Sequence, residues 1–223
     1  MPPQTAQLLL PRDLDDAAGA PEVSPSDRDA LNAVLTWVRG FVAQPNEELG
    51  RPGTVCPFVP GALERNVLWL APERVEDLDV AGVADIVDGY KRQLLAQTSD
   101  ADGERVFPTI MVVFTDLTAE RASTLFGEVL GRVAGPSYEE DGVIFGPFYD
   151  GNEGTAIYNP EFRPFQSPLP FMFVRFTVAG DWKFFIDDPA WLDRWARRFG
   201  PAATSELAGE LRGLPWNARR DGA

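Results

Sequence analysis

Phe171-Met172-Phe173-Val174-Arg175-Phe176-Thr177-Val178 is the most strand-like run in the chain. Aromatic and β-branched side chains suit a pleated, half-buried surface. The period of two places Phe171, Phe173, Arg175 and Thr177 on one face, and Met172, Val174, Phe176 and Val178 on the other. Across the turn Ala179-Gly180-Asp181, the segment Asp181–Ile186 reads as its hairpin partner. Gly142–Phe148 reads as a further strand, so strands cluster late in the chain. That clustering predicts an α+β fold, a single domain with a mixed or mainly antiparallel sheet flanked by helices.

Upstream of these strands, helical and extended patterns alternate. Residues 1–24 are rich in Pro, Ala and Asp and read as a flexible lead-in. Ser26 reads as the N-cap of a helix carrying Leu31, Val34, Leu35, Val38, Phe41 and Val42 at helical spacing. A Pro- and Gly-punctuated loop over 44–64 follows, then a strand over Asn66–Ala71 and a helix marked by Val83, Ile86, Val87, Tyr90 and Leu94. Gln97–Glu104 is a polar loop. Val106–Phe114 reads as a central strand, with Pro108 arguing that it joins the sheet late or lies at an edge. Thr118 caps a helix whose inward face is Ala122, Leu125, Phe126, Val129, Leu130 and Val133. Asp188-Pro189 opens a helix with Trp191, Leu192, Trp195 and Phe199, which Gly200 ends. A last helix spans about Thr204–Arg212. The expected organisation is one globular domain over 25–213, with a flexible tail over 214–223.

Composition narrows the chemistry. The 223 residues include no histidine and one cysteine, with a formal charge of −14. Without histidine there is no Ser-His-Asp triad, no Cys-His dyad and no histidine-ligated metal. The negative field disfavours nucleic acid and anionic lipid as partners. No apolar run approaches the ~20 residues of a membrane span, and a single cysteine forms no internal disulfide. A cytoplasmic protein acting on a small molecule is the expectation, with no membrane and no nucleic acid, and its oligomeric state is open. No G-x-G-x-x-G or G-x-x-x-x-G-K-[ST] nucleotide loop occurs.

The candidate site centres on Arg51-Pro52-Gly53-Thr54-Val55-Cys56-Pro57-Phe58-Val59-Pro60. A lone cysteine is more often a buried structural thiol than a reactive one. One arrangement, however, needs a cysteine and no histidine: a haem iron held by a thiolate, which favours O–O cleavage. On that reading Cys56 is the metal ligand, haem b is the cofactor, and Phe58 and Trp69 supply an apolar wall. Arg163, Arg51 or Arg175 would bind a carboxylate, such as a haem propionate or an amino-acid substrate. Each of these arginines has an ordinary ion-paired or surface role as its alternative. With no distal histidine, proton delivery would fall to water, Thr54, Ser167 or a carboxylate. The phenylalanines between 145 and 185 read as core or as the lining of a flat ligand pocket. Asp116 ends an apolar strand and suits either a site or the start of the next helix. Glu139, Glu140 and Asp141 read as a solvated turn.

The run Leu49–Pro60, with Tyr158-Asn159-Pro160, Ser167-Pro168-Leu169-Pro170, Arg175, Trp191-Leu192 and Arg198-Phe199-Gly200, resembles an uncharacterised bacterial domain family. Its members recur in actinobacteria near natural-product genes. The layout is also distantly similar to the YqcI/YcgG family, which includes haem-dependent N-hydroxylases of amino-acid guanidino or amino groups. That resemblance implies a haem-thiolate oxygenase N-oxidising an amino-acid-like substrate in specialised metabolism, with the loop Asn159–Pro168 facing the pocket of Cys56. Where the first family's pattern reads Phe-Arg-Ser-Pro, this chain has Phe165-Gln166-Ser167-Pro168, so Arg163 must replace that arginine or its role is lost. Two other readings stand beside this one. The first is a non-catalytic interaction module with a structural Cys56 loop, and the second is a redox enzyme using a Cys56 thiol activated by Arg51.

Overall fold

The computed structural model describes residues 5–16, 23–98 and 105–212. Contacts divide the chain into two compact units, residues 1–176 and 177–223. The first holds a four-stranded mixed sheet flanked by helices, in agreement with the α+β reading.

The sheet is built from β1 (Leu68–Glu73), β2 (Thr109–Phe114), β3 (Val143–Phe148) and β4 (Phe171–Phe176), in the order β1-β2-β4-β3. β1 and β2 are parallel, joined by α4 (Val80–Gln97). β4 runs antiparallel to both neighbours, with Val113 and Phe148 opposite Phe171, and Thr109 and Ile144 opposite Arg175. β2 is central and buried along its whole length. Pro108 lies just before it, so the missing N–H falls outside the ladder.

The alternating side chains of the strands separate two cores. On one face, Ala71, Ile110, Val112, Met172 and Val174 pack against α4 and α5 (Ala119–Asp141). On the other, Leu68, Leu70, Met111, Val113 and Phe171 pack under α2 (Pro25–Trp37), together with Leu9 and Leu14. The cap of α2 lies two residues before the expected one. Ser24, not Ser26, accepts from the Asp27 N–H, because Pro25 fits the first helical position, where no N–H is needed.

The lead-in is also more ordered than its composition suggested. Leu9 exchanges both backbone hydrogen bonds with Leu70 at 2.8 Å, followed by a short helix, α1 (Pro11–Asp15), with Leu14 buried. Leucine burial of this kind is worth about 1.5–3 kcal/mol, enough to hold a strap that has little helical propensity. The rest of that lead-in, 17–22, lies outside the described residues, as do most of the polar loop (99–104) and the tail from 213.

In the second unit the expected strand over 181–186 is instead a 3-10 helix, Ala179–Phe184. The buried Asp181 carboxylate accepts from the Val178 N–H at 2.8 Å and the Thr177 hydroxyl at 2.9 Å, closing the chain into a turn. Trp195 then donates its indole N–H to the Ala179 carbonyl at 2.7 Å. That tryptophan sits on α6 (Pro189–Phe199), which Asp188 caps and Gly200 ends as expected. α7 (Pro201–Arg212) begins three residues earlier than read.

Two carboxylates in the first unit respond to pH with opposite signs. Glu73 sits at the end of β1, accepting from the Tyr90 hydroxyl and from the Ala6 N–H at 2.9 Å. Burial outweighs these bonds and raises its pKa. For Asp27, burial works in the same direction, but hydrogen bonds from Ser24, Thr115 and Arg74 prevail and hold it below the usual carboxylate range. A raised folded pKa contributes stability below the unfolded pKa, and that contribution is lost as pH rises through the folded pKa. A depressed one contributes stability above the unfolded pKa, lost as pH falls through the folded pKa. Urea unfolding as a function of pH should therefore show Glu73→Gln gaining stability relative to wild type as pH rises. Asp27→Asn should lose relative stability over the same range. Separately, Leu9→Ala should cost about 2–5 kcal/mol in urea unfolding, whereas a loose lead-in would leave the midpoint unchanged.

Candidate functional site

Cys56 lies in an irregular segment between a 3-10 turn, Glu47–Leu49, and α3 (Val59–Glu64). The segment is tied down from three directions. Its own N–H donates to the Val42 carbonyl at 3.0 Å, at the end of a π-helical turn, Val38–Val42, that continues α2. The Thr54 hydroxyl donates to the Cys56 carbonyl at 2.9 Å. The Arg51 guanidinium donates to the carbonyls of Pro52, Thr54 and Val55 at 3.0–3.1 Å. Pro57 supplies no N–H, so backbone that cannot form a ladder is held by a side chain instead. Cys56 itself is half-buried and packs against the core beneath α2.

Phe58, two residues on from Cys56, pairs with Arg175. Arg175 is buried on β4, with its guanidinium 5.6 Å from the centre of the Phe58 ring and 5.4 Å from that of Phe173. It donates to the Phe176 carbonyl at 2.8 Å. Trp69 is not part of this group. It alternates onto the opposite side of β1 and packs with the α4 and α5 core, so it cannot form a wall for Cys56. Arg163 donates to the Pro160 carbonyl of its own loop, and Ser167 is buried with its hydroxyl on the Leu169 carbonyl at 2.7 Å. Asp116 binds the N–H groups of Val75 and Glu76 at 2.9 and 3.1 Å, which makes it a brace for the turn after β1. Glu139, Glu140 and Asp141 form the end of α5 rather than a turn, and Asp141 pairs with Lys91 at 3.0 Å.

The loop 149–170, which links β3 to β4, lies against the Cys56 segment. The Asn159 amide donates to the Glu48 carbonyl at 2.7 Å. Gly50, at φ 71°, faces the Tyr158 carbonyl so closely that a Cβ there would sit 2.6 Å from its oxygen. Beneath the loops is an aromatic bed that includes Trp37 and Phe41, the second of them a member of the helical stripe read from the sequence. Phe148 stacks on Phe171 at 4.6 Å and 6°, with Trp37 edge-on to both and Phe165 edge-on to Phe148. Phe41 meets Phe162 at 6.1 Å. The phenylalanine-rich stretch is thus divided. Phe145 and Phe176 belong to the α4 and α5 side, whereas Phe148, Phe165, Phe171 and Phe173 belong to this bed.

Glycines test whether a flat cofactor fits, because a cradle for a ligand is often lined by missing Cβ atoms. Here three of these spaces are filled by the chain itself. A Cβ on Gly61 would meet the Phe107 ring, on Gly146 the Phe173 ring, and on Gly154 the Phe165 ring, all within 2.7 Å. Two surface grooves, of about 570 and 470 Å³, run along α4 and α5, on the face of the sheet opposite Cys56. Among the described residues, no group of three or more Cys, Asp or Glu side chains is placed to hold a metal ion, and no helix is long and apolar enough to cross a membrane.

A family model described as a domain of unknown function (DUF6875) matches residues 31–210. No curated protein and no solved structure matches.

Replacing Arg51 with Ala should loosen the segment, since hydrogen bonds from a charged donor are worth about 1.5–3 kcal/mol each. The expected outcome is faster reaction of Cys56 with a thiol reagent in the folded protein. Arg51→Lys should not restore protection, because an ammonium cannot span three carbonyls in the guanidinium's plane. Equal reaction rates in wild type and both variants would sink this account.

Proposed function

The chain belongs to the DUF6875 family, whose description assigns no activity, and we propose that it is a non-catalytic interaction module in which the Cys56 loop is a structural turn. The observation that carries this reading is the joining of two irregular loops into one rigid block. The Asn159–Glu48 hydrogen bond and the Gly50–Tyr158 approach hold them together over a filled aromatic bed. Such a block favours binding over catalysis. It has little conformational freedom to lose on association, and four of its side-chain donors are directed to its own carbonyls. Thr54, Ser167, Arg51 and Arg163 all donate there.

The rival reading is a haem-thiolate oxygenase that N-oxidises an amino-acid-like substrate, by likeness to the YqcI/YcgG proteins. It draws on the placing of Arg175 over Phe58 near Cys56 and requires room for a haem beside that thiol. A thiol redox enzyme is weaker still, since the Arg51 guanidinium is directed to carbonyls. One pair of measurements separates these readings. On the interaction reading, haem titration of the full chain gives no stoichiometric Soret band, and Cys56→Ser melts within a few degrees of wild type. A thiolate-type Soret band that disappears in Cys56→Ser would establish the oxygenase reading instead.

A further inference from the structure

Resting on the interaction reading, we propose that the face around Ile157 and Tyr158 receives a basic segment of a partner protein, anchored by apolar side chains. Large apolar residues at a loop tip are normally turned inward, yet Ile157 is 42% exposed and Tyr158 47% exposed. They are not held out by flexibility. Ala156 is buried and donates its N–H to the Phe162 carbonyl at 2.9 Å, and the Asn159 side chain accepts from the Glu161 N–H at 3.0 Å. Pro160 and Pro52, both exposed, stiffen the same two loops. Tyrosine on a rigid support suits a hot spot, combining large contact area with few rotatable bonds.

Charge identifies the partner. The loops 44–58 and 149–168 carry five exposed carboxylates, Glu47, Glu48, Asp150, Glu153 and Glu161. Their only two cations, Arg51 and Arg163, are directed to backbone carbonyls. The two loops that carry the apolar tip thus hold five carboxylates against two cations, an acidic excess. Together with a chain charge of −14, this field attracts Lys- and Arg-rich polypeptide and repels phosphate backbones. The acidic excess steers the partner in, and Ile157 and Tyr158 supply the buried contact.

The test uses a fluorescein-labelled peptide in which arginine alternates with leucine and tryptophan, and a counterpart with glutamate in place of arginine. Anisotropy titrations with the full chain at low salt should show binding of the arginine peptide only. Ile157→Ser with Tyr158→Ser should weaken it by about tenfold or more. Glu48→Lys with Glu161→Lys should weaken it too. Glu120→Lys with Glu128→Lys, an equal charge change on α5, should leave it unchanged. Failure of the arginine peptide to bind, or equal loss from both charge pairs, overturns the proposal. Tyr158-dependent binding of the glutamate peptide overturns the basic partner while keeping the interaction reading. Only the haem complex described above overturns that reading itself.

Discussion

Phe148 stacked on Phe171 is the contact on which one whole side of the molecule depends. The two rings belong to paired residues at the ends of β3 and β4, where the chain leaves the sheet for the loop 149–170. Aromatic pairs contribute about 0.5–1.5 kcal/mol beyond the area they bury. Here one pair also fixes where three others form, because Trp37 meets both rings edge-on and Phe165 meets Phe148. Trp37 ends α2, and the π-helical turn that follows carries Phe41 to Phe162. The last helical residues, the Cys56 segment and the β3–β4 loop are thus seated on a single aromatic bed.

Much of the fold was legible in the sequence because its signals are local. Alternation in Phe171–Phe176 assigned both faces of β4, and β-branched residues marked β2. Thr118 and Asp188 announced their helices by their side chains. The misreadings share a cause: a hydrogen bond or contact from outside the segment overrode its local pattern. Leu8-Leu9-Leu10 is too short to suggest structure until Leu70 pairs with it. The pattern of 181–186 suits a strand until Asp181 folds the backbone onto itself. Ser26 is a sound N-cap by type, but Ser24 stands before a proline and wins.

The candidate site was legible as a location but not as an arrangement. Arg175 lies over the Phe58 ring, and the loop carrying Asn159 is hydrogen-bonded to Glu48 just before the Cys56 segment. What sequence could not give is the direction of each side chain. Strand parity alone places Trp69 on the far face of the sheet. Arginines suited to carboxylates turn out to serve backbone carbonyls, a need that arises only once irregular chain is folded against a core. Gly50 gave the one usable hint, since glycine marks close backbone approach.

The strap at Leu9 has a consequence for biogenesis. β1 is an outer strand of the sheet, and its exposed rim is answered by Leu9 and by Pro72, which has no N–H to offer. During synthesis, residue 9 leaves the ribosome long before residue 70, so this cover can close only after the chain has returned on itself. A chain cut short of Leu9 would keep an uncovered rim, open to strand exchange between copies and to aggregation. The strap at Leu9 thus guards the sheet's edge against pairing between copies.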